Sequence, residues 1–246
     1  MIVLALDTST DRAVIGLRTR SGAILSAATD SARRHGRDLV PQISQTLKMA
    51  DMTLREVNLI AVGVGPGSYT GLRVGVMAAK MLAYATGAAI LGVDSLEAIA
   101  QNAPVSVTQI SVIGDAQRGQ LYVADFLRED GGPPRSIHAV RIEPLTDWLQ
   151  RLATTTLVMG PGLLSPSVKT ALGERTGHFD REVAHPTGDS LVSLAQRLWD
   201  GGKRDDPWVL EPHYLRRSSA EELWERRDPA NRQTTEREIP FGPTRP

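Results

Sequence analysis

The sequence contains no cysteine. That absence removes disulfides, thiolate zinc sites, iron–sulfur clusters and cysteine nucleophiles together, and it fits a reducing cytoplasm. Net charge is missing too: 28 Lys and Arg balance 28 Asp and Glu, so bulk positive charge does not grip a nucleic acid here. Aromatic residues are few, and the four tryptophans and four tyrosines form no basic stripe of the kind that stacks bases. No apolar run approaches the ~20 residues that cross a bilayer. The run Ile2–Leu6 has no basic region before it and stops at Asp7, too short for a signal peptide. The histidines, His35, His138, His178, His185 and His213, include no i, i+4 pair and no His-Glu-x-x-His. A Gly-x-Ser-x-Gly elbow and a Walker loop are lacking as well, and Ser68 is not preceded by the elbow's Gly-x. The expectation is a soluble chain with no catalytic residue, no metal site and no tightly bound cofactor.

What is present is an α/β order. Ile2–Leu6 is a continuous apolar run, as in a strand buried on both faces. Ala13–Arg18 and Ala23–Ala28, separated by Ser21-Gly22, complete an antiparallel meander. Leu39, Ile43 and Leu47 then recur at helical spacing, with Pro41 placed in the first turn. Strand Leu59–Val64, a glycine-rich turn, a helix over Thr70–Thr86, strand Ala89–Val93 and a short helix from Ser95 follow.

The second half restarts the plan. Ser111–Asp115 ends in Asp as the first strand does, and Leu121–Phe126 alternates like Arg12–Leu17. Strand Arg135–Ile142, helix Leu145–Leu152, strand Thr156–Met159, helix Ser190–Trp199 and a last strand Glu211–Arg216 are predicted beyond it. Length at about 150 residues per domain allows one or two domains. The repeat divides the chain into an N-terminal lobe over 1–106, a second lobe over 107–217 and a charged, flexible tail over 218–246. Duplicated meander-plus-helix lobes are the plan of actin-like folds, and fold alone does not give function.

Three groups of residues carry the functional expectations. Asp7, Thr8 and Thr10, with Asp115 in the second copy, stand where an actin-like fold turns toward metal and phosphate. The other reading is that Asp7 and Thr8 satisfy turn amides, and the missing phosphate glycines favour a vestigial position. In Gly65-Pro-Gly67-Ser68-Tyr-Thr70-Gly71, Ser68 or Thr70 can cap the following helix. Beyond it, Gly67, Gly71, Gly75, Ala79 and Ala83 recur every fourth position and leave one face almost bare, so a neighbouring element can approach closely. Arg73, Met77, Lys80, Met81 and Tyr84 form another stripe, whose cations a fully buried face would not tolerate unpaired. Methionines flanked by cations suit a partner surface, with the helix of Leu39, Ile43 and Leu47 placed beside it.

These residues resemble a known family. Ile2–Thr10, His35 before Leu39-Val-Pro41, the stretch Ala61–Arg73, Gly92–Leu96, Asp115-Ala-Gln-Arg-Gly119 and Tyr214-Leu-Arg216 are similar to bacterial TsaB, also called YeaZ. The resemblance runs to about residue 216 and is densest in the first hundred. It implies an actin-like (ASKHA, ribonuclease H-like) duplicated two-lobe fold and a non-catalytic role. The family helps TsaD, with the ATPase TsaE, attach threonylcarbamoyl to the adenosine beside the anticodon of tRNAs that read ANN codons. TsaD holds its metal partly with a His-x-x-x-His helix; the corresponding stretch here is Ser95-Leu-Glu-Ala-Ile-Ala, without histidine. A smaller departure is Arg33-Arg34-His35-Gly36, where the family more often has Ser after the His. The resemblance implies a TsaD-like partner, a TsaE-like ATPase, a homodimer, tRNA reached through the complex, and ATP with magnesium only there. An ATP-dependent phosphotransferase or carbamoyl transferase using Asp7 and Asp115 is the alternative. A peptidase would need a nucleophile–base pair that the sequence does not offer.

Overall fold

An unbroken apolar run has to be covered on both faces, and that requirement organises the first sheet. Its central strand β1 (Val3–Asp7) is entirely buried and pairs antiparallel with β2 (Arg12–Arg18), which pairs with β3 (Ile24–Asp30). On its other side β1 pairs in parallel with β4 (Leu59–Gly63), and β4 with β5 (Ala89–Val93), giving the order β3-β2-β1-β4-β5. The computed structural model describes residues 1–30, 35–173 and 184–216. Arg33, Arg34, His178 and the charged tail over 218–246 fall outside these.

Alternation along β1 sends Leu4 and Leu6 to one core and Val3 and Ala5 to the other. The first core is closed by α1 (His35–Met49) and α2 (Tyr69–Thr86), which touch each other. Pro41 lies in the interior of α1 rather than in its first turn; it is exposed and forgoes one intrahelical bond there. Leu39, Ile43 and Leu47 are buried against this core, so they are not part of an exterior patch. Burial of each is worth about 1.5–3 kcal/mol, which holds α1 on the sheet and outweighs any exposure to a partner.

The second sheet repeats the meander. β6 (Gln109–Asp115) pairs antiparallel with β7 (Gln120–Leu127) and parallel with β10 (Leu157–Met159), as β1 pairs with β2 and β4. The single strand expected over Arg135–Ile142 is broken into β8 (Arg135–Ser136) and β9 (Arg141–Pro144), both on β7. Between them the register slips by two residues: Phe126 faces Ser136 and Val123 faces Arg141. α3 (Ser95–Ala100) joins the sheets, with Ala98 in one core and Leu96, Ile99 and Ala100 in the other. α4 (Leu145–Arg151) buries Trp148, and α5 (Pro166–Leu172) adds Val168 and Leu172; the sequence reading had no counterpart for α5. α6 (Gly188–Asp200) packs not on the second sheet but across the back of the first, where Leu191, Val192, Leu194 and Ala195 cover Val3, Ala5 and Val14. Residues Met1–Leu215 form one compact unit. Two sheets built on one repeated meander make this an actin-like α/β fold.

The bare stripe of α2 has a definite neighbour. A Cβ at Gly67 would lie 2.2 Å from the Ser9 carbonyl oxygen, one at Gly71 2.0 Å from that of Thr8, and one at Gly75 2.3 Å from Thr8 Oγ1. The helix therefore lies directly on the loop that leaves β1. Ser68 caps it, accepting from the Gly71 amide at 3.3 Å, and Gly87, at φ +73°, ends it in the left-handed region. Gly71→Ala is expected to destabilise the fold by about 3 kcal/mol through this overlap. Gly36→Ala in α1, where nothing lies within 4 Å, should be neutral or stabilising by up to about 1 kcal/mol. Denaturant titration of the two variants checks the contrast.

Candidate functional site

Asp7 ends β1 fully buried, with both carboxylate oxygens committed inside the protein. Oδ1 accepts from the Ser9 amide at 2.8 Å and the Ser9 hydroxyl at 2.6 Å; Oδ2 accepts from Ser95 Oγ at 2.6 Å. Ser95 Oγ in turn accepts from the Gly65 amide at 3.2 Å, tying the end of β1 to the glycine-rich turn and to α3. Thr8, also fully buried, donates to the Gly71 carbonyl at 2.7 Å, and the Ser68 amide donates to the Ser9 carbonyl at 2.7 Å. Asp7 and Thr8 are thus engaged within the protein, and the start of α2 sits on this loop. Asp115, at the matching end of β6, is exposed and accepts from the Gln117 amide at 2.6 Å. It and Asp7 are not a pair of equivalent ligands. Among the described residues, no three His, Asp or Glu side chains converge as a metal site.

One constellation was invisible in sequence because 175 residues separate its members. His185 Nδ1 lies 3.0 Å from Thr10 Oγ1, and its Nε2 lies 3.7 Å from Asp11. Hydroxyl, imidazole and carboxylate in a row suggest a nucleophile, but the Thr10 hydroxyl is buried, donates to the Arg12 carbonyl and accepts from the Arg12 amide. The arrangement fastens the segment before α6 to the loop after β1.

The outer side of α2 is the opposite of its inner side. Met77, Met81 and Tyr84 are 60%, 65% and 78% exposed, while Gly75, Val76, Ala79 and Ala83 beneath them are buried. Arg73 is also exposed, but it is engaged: its guanidinium lies 4.3 Å from the Tyr69 ring centroid, its Nε donates to the Tyr214 hydroxyl at 3.0 Å, and it bonds the Tyr69 hydroxyl as well. Tyr214 belongs to a stretch over 203–215 that runs past the edge of the first sheet. There Asp205 makes a lone antiparallel bridge to Ile90 and accepts from the Gly92 amide at 2.8 Å, and Lys203 donates to the Gly92 carbonyl at 2.7 Å. Further on, Leu210 packs into the first core and the His213 amide donates to the Val64 carbonyl at 2.7 Å. No strand forms over 211–216; that expectation fails because β5 is already met by Asp205 and this part of the chain turns toward α2 instead. Trp208, 76% exposed, meets Tyr84 edge-on with centroids 6.1 Å apart.

A cleft of about 680 Å³ opens on the other sheet beside β7 and β9. Asp125 and Glu143 there are bridged by Arg141 and Arg151 over 2.7–3.1 Å, and Ser111 links Asp125 to the buried Trp148 indole. Burial pushes the Asp125 carboxyl up, but Arg141, Ser111 and Arg151 together hold it below its ordinary range. The hydrogen bond from Arg151, against burial, does the same for Glu143. Two cations on two anions leave this cleft charge-balanced.

A family model described as TsaD, tRNA N6-adenosine threonylcarbamoyltransferase, matches residues 26–132. Over nearly the whole chain the similarity is to a different set of proteins. The Bacillus subtilis tRNA threonylcarbamoyladenosine biosynthesis protein TsaB is 31% identical over 230 residues, covering 91% of this chain and 98% of that protein. The chain belongs to the TsaB family. Escherichia coli TsaB is 27% identical over 89% of this chain and 96% of its own length. The solved structure of YeaZ from Pseudomonas aeruginosa superposes with a TM-score of 0.73 at 26% identity, covering 87% of this chain and all of that one.

In this TsaB-family chain the position after β5 carries an acid rather than a ligand pair. Asp94 caps α3, accepting from the Glu97 amide at 2.8 Å, and burial pushes its carboxyl up from 3.8 to about 7. A folded-state value raised above the unfolded one means that Asp94 favours folding most below about pH 4. That contribution is lost as the pH rises through 7. Asp125 and Glu143, shifted the other way, contribute above the ordinary carboxylate range and lose their contribution as the pH falls. Asp94→Asn keeps a cap acceptor and carries no charge. It should be more stable than wild type at pH 8 and lose that advantage toward pH 4, as read by denaturant midpoints across the range.

Proposed function

We propose that this protein is a non-catalytic subunit in the synthesis of tRNA threonylcarbamoyladenosine, the process for which its curated relatives are named. It docks on a TsaD-like threonylcarbamoyl transferase and stabilises its active conformation. One observation carries this reading: α2 presents Met77, Met81 and Tyr84 to solvent while its other side is pressed onto the Asp7 loop. Methionines repack readily against a partner, and exposed apolar side chains grouped on one helix face mark an association surface. The match of residues 26–132 to the transferase family supports a partner of similar fold, with helices equivalent to α1 and α2.

The commitment of both Asp7 oxygens supports the absence of a separate phosphotransferase activity, because an aspartate occupied by Ser9 and Ser95 is not offered to magnesium. In this reading ATP and magnesium act in the complex, where a TsaE-like ATPase joins, and tRNA is reached through the transferase rather than by a chain of zero net charge. The α2 face also serves a homodimer when the transferase is absent. The place of action is the cytoplasm.

Mixing this chain with the TsaD protein of the same organism, and reading mass by size-exclusion light scattering, tests the proposal. Wild type should form a stoichiometric complex. Met77→Glu should weaken it by about 2 kcal/mol or more, roughly thirtyfold in Kd, by burying a charge in the contact. A complex indifferent to Met77→Glu moves the contact off α2. No complex at any workable salt or nucleotide concentration overturns the role.

A further inference from the structure

We infer that the stretch over 203–215 is a strap that completes the docking face of α2, with Trp208 as its anchor and Arg73 as the positioning residue that holds the strap in place. The inference rests on the docking reading above and assigns to the strap a share that the helix alone does not supply.

The strap is fixed at both ends. At its start, Lys203 and Asp205 grip the backbone of Gly92 on the edge strand β5. At its end, Tyr214 lies against Tyr69 with centroids 4.6 Å apart, and Arg73 bonds both hydroxyls while its guanidinium rests on the Tyr69 ring. A planar guanidinium that stacks and donates at once is a fixed clamp, which a lysine would not reproduce. Between these ends Asp206 closes a tight turn, accepting at its side chain from the Trp208 amide at 2.8 Å and at its carbonyl from the Leu210 amide at 2.9 Å. Leu210 points inward to the first core, so Trp208 and Val209 are left outside, 76% and 71% exposed. Trp208 stands edge-on to Tyr84, which makes one continuous apolar surface from Met77 through Met81 and Tyr84 to the strap.

The occupant is a helix of the transferase-type partner bearing apolar residues and a carboxylate. α2 contains two cations and no acidic residue. Arg73 is taken up by the tyrosines, and Lys80 makes no ion pair among the described residues, so the complementary charge comes from the partner. An aromatic anchor beside methionines is the composition that dominates interface energetics.

The test uses the full chain and the same organism's TsaD protein, titrated with wild type, Met77→Glu, Trp208→Ala, Arg73→Ala and the double variant of the last two. Trp208→Ala should weaken association at least tenfold with an unchanged melting temperature. Arg73→Ala should weaken it to a similar degree and speed hydrogen exchange at the His213 amide, with α2 still protected. Because Arg73 acts through the strap, the double variant should lose little beyond either single one. If Met77→Glu abolishes the complex and Trp208→Ala binds as wild type, the strap inference falls and the docking reading stands. If neither substitution matters, the docking reading itself falls. Strictly additive losses would overturn the positioning role of Arg73.

Discussion

The contact on which this structure turns is a close approach of backbone: the glycine face of α2 and the turn before it lies on the loop leaving β1, against the carbonyls of Thr8 and Ser9 and the Thr8 hydroxyl. Three glycines a helical turn apart make it, and hydrogen bonds from Thr8 to the Gly71 carbonyl and from Ser68 to the Ser9 carbonyl lock it. The orientation of α2 follows from that contact. Pressed inward on its glycine side, the helix necessarily turns the stripe of Met77, Met81 and Tyr84 outward. Beside that contact the Asp7 carboxylate is buried, with partners supplied by Ser9 of the same loop and Ser95 of α3. One loop thus holds the end of β1, the start of α2 and α3 together.

Much of the fold was legible because its signals are local. The Ile2–Leu6 run, the Ser21-Gly22 turn and the every-fourth glycine pattern each depend on near neighbours, and each element appears within a residue or two of its expected place. The repeat was legible as well, since β1-β2 and β6-β7 reproduce the same hairpin ending in an aspartate. What escaped depended on distant partners. The break between β8 and β9 is a slip in pairing with β7, which no composition marks. Leu39, Ile43 and Leu47 have the spacing of an apolar helix face, and spacing does not say whether a sheet or another molecule covers that face; here a sheet does.

The candidate site divides in the same way. The stripe of Arg73, Met77, Lys80, Met81 and Tyr84, spaced three and four apart in α2, points to an exposed face, and the structure puts Met77, Met81 and Tyr84 there. The charge of Arg73 on this stripe suggests a contact residue. Its bond to Tyr214 spans 141 residues, so its role emerges only once the chain after α6 is placed. Trp208 lies in a stretch whose local sequence, rich in charges and proline, resembles an ordinary solvated loop. Nothing in the sequence singles out Asp94; burial at the start of α3 raises its proton affinity.

The position of α6 has a consequence for synthesis. β1 is the central strand of its sheet, yet most of the cover over Val3, Ala5 and Val14 comes from α6, far along the chain from them. At ordinary elongation of roughly 5–20 residues per second, between about 10 and 40 seconds pass between the emergence of β1 from the ribosome and that of α6. Until then this face of the sheet lacks the helix that contributes Leu191, Val192, Leu194 and Ala195 to its core. The back of the first sheet is thus completed only when the chain returns to its own beginning.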